Sequence, residues 1–454
     1  VIEVLGNKDE ANVDLMSIVK SHGLRENFSK KVKKEAVFIE KDLDLSKVKN
    51  REDFRDLFTV TIDGRDSKDF DDAISIEKDN GDYILYVHIA DVSHYVKEKS
   101  EIDKEAYKRG NSTYLYNLVI PMLPEELSNG ICSLNPDKNR LSLSLKMKIN
   151  DMGKVVDYKI YKAIISSNYR LIYDDVNDYI DGNKKVYDDE VLLEKLDLFN
   201  ELYKILKKKR EKRGSIDFNF TESQIDVNSQ GEVLNISLFE RGSANKMIEE
   251  FMLISNETIA SLFAFMDFPS IYRIHEKPKE EKVESFKNIL NTLGYNIKEK
   301  ELHPKDFQDI LKQISGKDDE SLINMLMLRT MRKAKYTNYT DMHFGLATKY
   351  YTHFTAPIRR YPDLIVHRLV KDFVDNKLEN INQTSLENKL SKFAEHLSIT
   401  ERNSEECERD VEDLYKCKYM KKFIGEKFEG IISSITDFGI FVESIRLSSS
   451  LISS

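Results

Sequence analysis

The sequence predicts an α+β fold, in which strands dominate the first part of the chain and helices dominate the second. Residues 83–89 are almost all apolar, and residues 141–149 alternate between apolar and polar side chains with the period of a strand. The apolar side chains that recur at helical spacing in residues 244–265 are Met247, Ile248, Phe251, Met252 and Ile259. Mixed strands that are followed by helices are typical of α+β domains.

The same periods predict the remaining elements in chain order. We expect a strand at residues 1–5, a helix that starts within residues 14–22, short strands at residues 58–62 and 73–76, helices at residues 320–333, 362–372 and 386–420, and two strands joined by a turn within residues 425–443. Pro362 suits the first turn of its helix. The chain begins at Val1 with neither a methionine nor a signal peptide, so we expect a fragment boundary there.

Composition excludes several classes of protein. The length of 454 residues suits about three domains, and a content of 40% hydrophobic and 33% charged residues indicates a folded, globular chain. No apolar run approaches the length of a transmembrane helix. Cys132, Cys407 and Cys417 form no Cys-x-x-Cys pair, which argues against a disulfide framework or a thiolate zinc site and favours a cytoplasmic location.

The charge of the chain does not decide whether it binds nucleic acid. The net charge of −9 lacks the basicity that would support nucleic-acid binding. Residues 204–213, in contrast, contain seven basic residues and one acidic residue. A solvated helix face explains that run as well as a binding surface does, and a basic channel is compatible with an acidic exterior.

Five aspartates fall within ten residues, at Asp63, Asp66, Asp69, Asp71 and Asp72. Each neighbouring carboxylate makes it harder to ionise the next, and a divalent cation removes that cost. A solvated acidic turn is the alternative. An EF-hand is excluded, because its glycine would stand at another position and helices would flank the loop. We predict a Mg²⁺ site, with Mn²⁺ as a substitute, and metal-dependent phosphoryl chemistry.

The segment Thr-Ile-Asp-Gly-Arg-Asp-Ser-Lys-Asp-Phe-Asp-Asp-Ala, residues 61–73, resembles the signature of the ribonuclease II superfamily catalytic domain, the RNB domain. In that signature an Asp is followed by Asp at the sixth, eighth and ninth positions after it. Residues 89–95, 120–136 and 351–363 resemble further segments of the family in the same order. The resemblance covers nearly the whole chain.

The resemblance implies an RNB-type catalytic domain, with mixed strands and then helices around an RNA channel, flanked by partial OB-fold β-barrels. The implied parts are the end of a cold-shock-type OB domain plus a linker (residues 1–50), the catalytic domain (53–372), a helical segment that completes it (373–422) and the start of an S1-type RNA-binding domain (423–454).

The implied activity is that of a Mg²⁺-dependent, processive 3′→5′ exoribonuclease of RNA decay and quality control. Such an enzyme hydrolyses single-stranded RNA, and in some cases structured RNA, to nucleoside 5′-monophosphates with two metal ions. Ribosomes or RNA-decay factors are further candidate partners, and a monomer without a membrane partner is expected. The alternatives are an inactive RNA-binding regulator, which would have lost the aspartates, and a metal-dependent phosphatase or DNA nuclease, which leaves the other matching segments unexplained.

The resemblance also assigns the catalytic centre. It implies that Asp63, Asp69 and Asp72 hold metal and that loss of Asp71 abolishes cleavage, while Asp66 lies outside the pattern.

Arg359 is the implied transition-state cation, because a guanidinium forms bidentate contacts with phosphate. Arg360 is a further candidate for RNA binding. An ion pair with Asp363 is the alternative for both arginines.

Five other residues match RNA-binding positions of the family. Tyr114 and Phe218 match the aromatic pair that clamps the final 3′ base, where stacking contributes about 1–3 kcal/mol per base. Tyr173 matches another aromatic position, and Glu249 and Glu408 match acidic residues of the RNA channel. The alternatives are core packing for the aromatic residues and surface ion pairs for the glutamates.

His88, Asp91 and His94 suggest a histidine-centred acid–base site. If residues 83–96 form one strand, however, the two histidines share a face and Asp91 points away. We therefore interpret this segment as scaffold near the site.

Overall fold

The computed structural model describes residues 3–7, 10–41, 45, 48–182, 186–218, 222–295, 297, 301–436, 439–444 and 450–453. Its α-helices are α1 (Val13–Ser21), α2 (Lys30–Lys41), α3 (Val92–Tyr95), α4 (Glu101–Arg109), α5 (Tyr173–Ile180), α6 (Glu190–Arg213), α7 (Ser243–Phe265), α8 (Glu280–Thr292), α9 (Pro304–Ile314), α10 (Glu320–Thr330), α11 (Tyr361–Val374) and α12 (Gln383–Met420).

The strands are β1 (Glu52–Asp53), β2 (Val60–Asp63), β3 (Asp72–Asp79), β4 (Asp82–Ala90), β5 (Thr113–Leu115), β6 (Leu118–Ile120), β7 (Asn139–Ile149), β8 (Val155–Ser166), β9 (Tyr169–Ile172), β10 (Glu222–Val227), β11 (Val233–Phe239), β12 (Tyr272–Ile274), β13 (Lys335–Thr337), β14 (Gly430–Thr436), β15 (Gly439–Ser444) and β16 (Ser450–Ser453). Strands dominate up to β9 and long helices follow, so the predicted α+β class is confirmed.

A seven-stranded mixed sheet in the order β1-β8-β7-β4-β3-β2-β9 forms the scaffold of the site. The apolar run of β4 places it in the middle of the sheet, where it is buried from Tyr83 to Ala90. β2 and β3 are antiparallel neighbours, with Val60 opposite Ile74. The loop that joins them therefore begins and ends at the same end of the sheet, with a carboxylate at each end.

Two smaller apolar clusters extend the main core. One lies among α8, α9 and α10, where the rings of Phe286 and Phe307 stack with centroids 6.2 Å apart. The other unites α1, the β5–β6 hairpin, β10, β11 and α12. α12 has 38 residues and Asn382 caps its start by accepting a hydrogen bond from the backbone N–H of Ser385 at 2.9 Å. It reaches from the main core to the second of these clusters.

The two arginines of the basic run in α6 form ion pairs. Arg210 donates to Glu250 at 2.5 Å and to Asp217 at 3.1 Å, and Arg213 forms a two-point contact with Glu257. The two arginines therefore hold α6 against α7 and the segment that follows α6. The exposed lysines of the run leave the solvated-face alternative intact.

One prediction about the start of the chain needs correction, and one about its end is confirmed. The strand predicted at residues 1–5 is wrong for residues 3–5, which form no strand; the side chain of Val4 is 81% exposed and has no surface on which to pack. Val1 and Ile2 lie outside the described residues. The hairpin predicted within residues 425–443 corresponds to β14 and β15, which with β16 form a three-stranded antiparallel sheet and not a closed barrel. None of the described helices combines the length and the apolar composition needed to cross a bilayer.

The prediction that residues 83–96 form one strand is wrong as well. β4 ends at Ala90, and Asp91 caps α3, where its carboxylate accepts a hydrogen bond from the backbone N–H of His94 at 3.1 Å. A capping aspartate turns the chain into a helix, so Asp91 lies beside His94. The fully buried Asp91 carboxylate also pairs with Arg51 and with Lys371 of α11, 2.7 Å away.

His88 has a separate, structural environment. Its imidazole hydrogen-bonds the hydroxyl groups of Ser75 at 3.1 Å and Ser144 at 2.7 Å inside the sheet. Burial lowers its pKa to about 3, so the ring is neutral at physiological pH. The three polar residues of this segment therefore form two structural networks, consistent with the scaffold interpretation.

Asp91→Asn should destabilise the fold, because it leaves two buried cations without their counter-charge. Burial alone would raise the pKa of Asp91, but Lys371 and Arg51 outweigh it and lower the pKa. We expect a loss of about 3 kcal/mol in the free energy of unfolding at neutral pH. A depressed pKa contributes stability above the unfolded-state pKa of about 4, and that contribution is lost as the pH falls further.

Urea unfolding of both proteins at neutral and acidic pH tests this expectation. Asp79→Asn, which removes an exposed partner of Lys148, should leave the free energy of unfolding almost unchanged. A difference between wild type and Asp91→Asn that stays constant in acid would contradict the ionic role.

Candidate active site

The acidic loop, residues 63–72 between β2 and β3, brings four aspartates together at one end of the sheet. Asp63 is the last residue of β2 and Asp72 the first of β3, so both are fixed by strand pairing. Asp71 is only 4% exposed. Asp66, which lies outside the family pattern, is exposed to solvent.

Two residues that the sequence did not single out hold the backbone of the acidic loop. The fully buried Ser133 accepts a hydrogen bond from the N–H of Phe70 at 3.0 Å and donates to the carbonyl of Lys68 at 2.7 Å. Arg170 on β9 donates to the carbonyl of Gly64 at 2.9 Å. The only sequence feature that pointed to Ser133 is its place in the matching segment 120–136. No sequence feature pointed to Arg170, because its role depends on the parallel pairing of β2 with β9.

Burial makes this loop electrostatically unfavourable. It raises the pKa of Asp71 well above its ordinary value, and it raises the pKa of Asp72 to about 6. Burial, followed by the charges of Asp72 and Asp69, also raises the pKa of Asp63. A nearby positive charge would relieve all three carboxylates.

The donor set fits a hard divalent cation in its chemistry. Asp63 Oδ2 is buried and has no hydrogen-bond partner among the described residues, and carboxylate oxygens are the ligands that Mg²⁺ prefers. In the part of the chain that the structure describes, no three metal-binding side chains already converge on one point. The fit is therefore one of ligand chemistry, and not of a preformed cluster among the described residues.

The arginine turn, residues 356–360 before α11, is bound to the acidic loop by Asp71. Asp71 Oδ1 accepts a hydrogen bond from the backbone N–H of Ile358 at 2.7 Å, and Asp71 Oδ2 lies 3.7 Å from Arg359 Nε. Asp71 Oδ2 has no hydrogen-bond partner among the described residues. The same carboxylate therefore fixes the turn and faces its cation.

The two arginines of the turn have different surroundings. Arg360 donates from Nε and Nη2 to the fully buried Asp363, at 2.9 and 2.8 Å. Asp363 also accepts from the N–H of Ala356 at 2.7 Å, so a second carboxylate fixes the turn. The side chain of Arg359 is 47% exposed. The ion-pair alternative therefore describes Arg360, whereas Arg359 faces the acidic loop.

Tyr114 on β5 lies between two cavities beside these residues. A cavity of about 290 Å³ is lined by Tyr114, Tyr336, Arg359, Arg360 and acidic residues of α12. A second, of about 490 Å³, is lined by Tyr114, Asp69 and Asp66. The Tyr114 hydroxyl donates to Asp69 Oδ2 at 3.0 Å, so the ring joins the cavities to the acidic loop.

The other predicted RNA-binding residues surround this centre at different distances. Tyr173, the first residue of α5, is close to the acidic loop, because burial and then Asp72 and Asp63 raise its pKa. Glu408 on α12 lines the smaller cavity and accepts a hydrogen bond from the N–H of Tyr114 at 3.0 Å. Burial raises the pKa of Glu408.

Phe218 and Glu249 lie outside the described linings of both cavities. Phe218 packs against the cluster formed by α8, α9 and α10, and the three residues after it lie outside the described part of the chain. Glu249 on α7 is 3.5 Å from Arg241. Their binding roles stay predictions.

A family comparison agrees with this geometry. The model of the RNB domain matches residues 51–376, which include the sheet, the acidic loop and the arginine turn. This chain belongs to the RNB family. The resemblance inferred from residues 61–73 is thereby confirmed.

Relatives named ribonuclease R are similar along almost the whole chain. Ribonuclease R 1 of Lactococcus lactis is 42% identical over 447 residues, which are 98% of this chain and 55% of that protein. Ribonuclease R of Thermotoga maritima is 43% identical over 452 residues, 98% of this chain and 63% of that protein. The chain thus spans little more than half the length of these relatives.

A solved RNB structure has the same fold. RNase R of Mycoplasma genitalium, in complex with ribose-methylated single-stranded RNA, superimposes with a TM-score of 0.94 at 32% identity and covers 99% of this chain and 71% of its own. The same protein in complex with double-stranded RNA gives a TM-score of 0.93. The fold described above is therefore that of ribonuclease R.

Mg²⁺ should stabilise the folded chain by neutralising the acidic loop. Binding adds about 2.7 kcal/mol at a concentration one hundred times the dissociation constant, and thermal unfolding with and without Mg²⁺ would show it as a higher melting temperature. Asp63→Asn should raise the melting temperature without metal, because it removes a repelled carboxylate, and should reduce the increase caused by Mg²⁺.

Asp66→Asn is the matched control, since it removes a charge from the exposed part of the same loop. We expect it to retain the response to Mg²⁺. An equal response in Asp63→Asn and Asp66→Asn would exclude Asp63 as a ligand.

Proposed function

We propose that this chain is the catalytic part of a 3′→5′ exoribonuclease that hydrolyses single-stranded RNA to nucleoside 5′-monophosphates. The observation that carries the proposal is the contact between Asp71 and the arginine turn. This contact places Arg359 beside the four aspartates of the acidic loop and close to the ring of Tyr114. The names of the ribonuclease R relatives, and the RNA in the Mycoplasma genitalium complex, support the same substrate.

Each residue of the centre has a distinct task in this proposal. Arg359 contacts the scissile phosphate and stabilises the charge that develops on it. Asp71 holds the Ile358 N–H with Oδ1, and its Oδ2 orients the attacking water. Tyr114 stacks on the final base and so fixes how far the strand enters.

Asp63, Asp69 and Asp72 are the residues that we assign to Mg²⁺, with Mn²⁺ as a substitute. When bound, the ions would activate the water and stabilise the leaving oxygen as Lewis acids. Burial raises the pKa of both Asp63 and Asp72, and a bound cation would favour their ionised forms.

We further propose the division of the chain that the resemblance implies, with catalytic residues in 53–372 and completion by 373–422. The RNB match to residues 51–376 supports the first boundary. Residues 1–50 and 423–454 would be the parts of cold-shock-type and S1-type domains that gather the strand.

Cys132, Cys407 and Cys417 are free thiols, which supports a reducing cytoplasm.

The proposal is tested by incubating the chain with labelled single-stranded RNA, single-stranded DNA and a generic phosphate ester, each with and without EDTA. Stepwise shortening of RNA alone, with 5′-monophosphates released and EDTA abolishing it, is the expected result. Cleavage of DNA or of the ester would favour the nuclease or phosphatase alternative. RNA binding without cleavage would favour the inactive regulator.

Asp71→Asn should abolish hydrolysis and leave RNA affinity near normal or improved. The amide removes a negative charge near the phosphate but keeps an oxygen that can accept the Ile358 N–H, so the arginine turn should stay in place. Single-turnover assays on labelled RNA and fluorescence anisotropy measure the two effects. Turnover within about tenfold of wild type, or about 1.4 kcal/mol in the barrier, would exclude the assigned role.

Arg359→Lys should also impair hydrolysis severely, although the charge is retained, because lysine cannot make the planar two-point contact. Arg360→Lys is the matched control: it weakens the pair with Asp363 and should lower the melting temperature more than it changes the chemical step. If Arg359→Lys hydrolyses RNA normally and Arg360→Lys does not, Arg360 becomes the transition-state cation.

Tyr114→Ala should change the size of the last undegraded oligonucleotide. Loss of the ring removes about 1–3 kcal/mol of base stacking and lets the strand slip relative to the acidic loop. The carboxylates remain, so cleavage continues with a different stop. Denaturing gels of the end products show the change. An unchanged ladder at an unchanged rate would mean that the ring is not a clamp.

A further inference from the structure

The β5–β6 hairpin, which carries Tyr114, is bound along its length to one face of α12. Ser404 Oγ shares a hydrogen bond of 2.7 Å with Thr113 Oγ1, and Glu408 Oε1 accepts the backbone N–H of Tyr114. At the hairpin turn the hydroxyl of Tyr415 donates to Asn117 Oδ1 at 2.9 Å.

These contacts lie on one face of the helix because of their spacing. Ser404, Glu408 and Tyr415 are four and seven residues apart, which corresponds to about one and two helical turns. Cys407 and Val411 on the same face are fully buried against Leu115 of the hairpin, itself 1% exposed. The hairpin is thus fixed by apolar contact as well as by hydrogen bonds.

The turn of the hairpin requires this support. Tyr116 has a φ of 47°, in the left-handed region that a side chain disfavours. The next residue, Asn117, is held from two sides, since its Nδ2 also donates to Oδ1 of Asn12, the residue before α1, at 3.2 Å. Strained backbone persists where its surroundings determine it, and here those surroundings are α1 and α12.

The segment just before β5 is bound to the arginine turn. The N–H of Ser112 donates to the carbonyl of Arg359 at 2.9 Å, and the N–H of Tyr361 donates to the carbonyl of Gly110 at 2.9 Å. The Tyr114 ring is thus set relative to Arg359 at one end of the hairpin and relative to α12 at the other.

We propose that Tyr415, together with Asn117, is a positioning residue that sets the place of Tyr114 and thereby the point at which an RNA strand stops. Tyr415 is fully buried and acts only through the hairpin. The inference rests on the proposed function, in which Tyr114 stacks on the terminal base. In this proposal α12, which is distant from β5 in sequence, controls the position at which cleavage stops.

Tyr415→Phe and Asn117→Ala test the proposal. Each removes the bond at the turn, and loss of one hydrogen bond of average net strength lowers the ratio of docked to undocked hairpin about fivefold. We expect the end-product ladder to shift, with hydrolysis still easily detected. Asn117→Asp keeps the acceptor for Tyr415 and loses only the Nδ2 donor to Asn12, so it should shift the ladder less than Asn117→Ala does. Tyr179→Phe is the matched control. Tyr179 lies on α5 and its hydroxyl donates to Asp197 of α6 at 2.9 Å, so its loss should leave the ladder unchanged.

A second readout is independent of hydrolysis. The chain contains no tryptophan, so Tyr114→Trp introduces a single fluorophore at the position in question. We expect its anisotropy to fall when Tyr415→Phe or Asn117→Ala is added, and to stay unchanged with Tyr179→Phe. If the chain does not degrade RNA, the proposed function fails, and the anisotropy still decides whether α12 positions the hairpin.

Two results would overturn the inference. An unchanged ladder and unchanged anisotropy in Tyr415→Phe and Asn117→Ala would mean that the bond at the turn has no positioning role. A uniformly slower reaction with a lower melting temperature but the wild-type ladder would mean that Tyr415 only stabilises the fold. Ser404→Ala, which removes the bond to Thr113, provides a further variant should either substitution prevent folding.

Discussion

The hydrogen bond from the Ile358 N–H to Asp71 is the constraint on which the centre depends. It joins the acidic loop to the arginine turn across 287 residues of sequence. Asp71 is buried where it makes this contact, and burial raises the pKa of its carboxyl group. Because the acceptor is a carboxylate and the donor is backbone, the contact fixes the path of the turn without using the Arg359 side chain, which stays 47% exposed.

A second carboxylate completes the support of the turn. Asp363 accepts the Ala356 N–H and binds Arg360 through both of its oxygens. The turn is therefore held by two carboxylates, those of Asp71 and Asp363. Arg359 and Arg360 are adjacent in sequence but differ in their surroundings, because Asp363 binds only Arg360. Charge-assisted, two-point contacts are strong and directional, which explains why one guanidinium is immobilised while the other can meet a ligand.

The sequence predicted the parts of this centre that are local. The spacing of the aspartates, the strands on either side and Pro362 at the start of α11 all follow from short-range patterns, and the structure agrees with them. Only the family resemblance distinguished Arg359 from Arg360; the residue pattern alone could not, because the difference depends on which one Asp363 reaches. Nor could it show that Asp91 is a helix cap beside two cations, or that Ser133 and Arg170 hold the loop. Those roles arise from contacts between segments that are distant in sequence, and no periodicity records them.

The separation between Asp71 and Ile358 has a consequence for synthesis of the protein. A growing chain acquires its acidic loop early, but the arginine turn is made nearly three hundred residues later, and α12, which holds Tyr114, later still. Contacts between such distant segments form slowly, because closing the long loop between them costs entropy before the contact stabilises it. A nascent chain therefore carries acidic residues without the cation that completes the centre. Under the proposed function, the chain would therefore not cleave the message that encodes it before the arginine turn has been made and has folded.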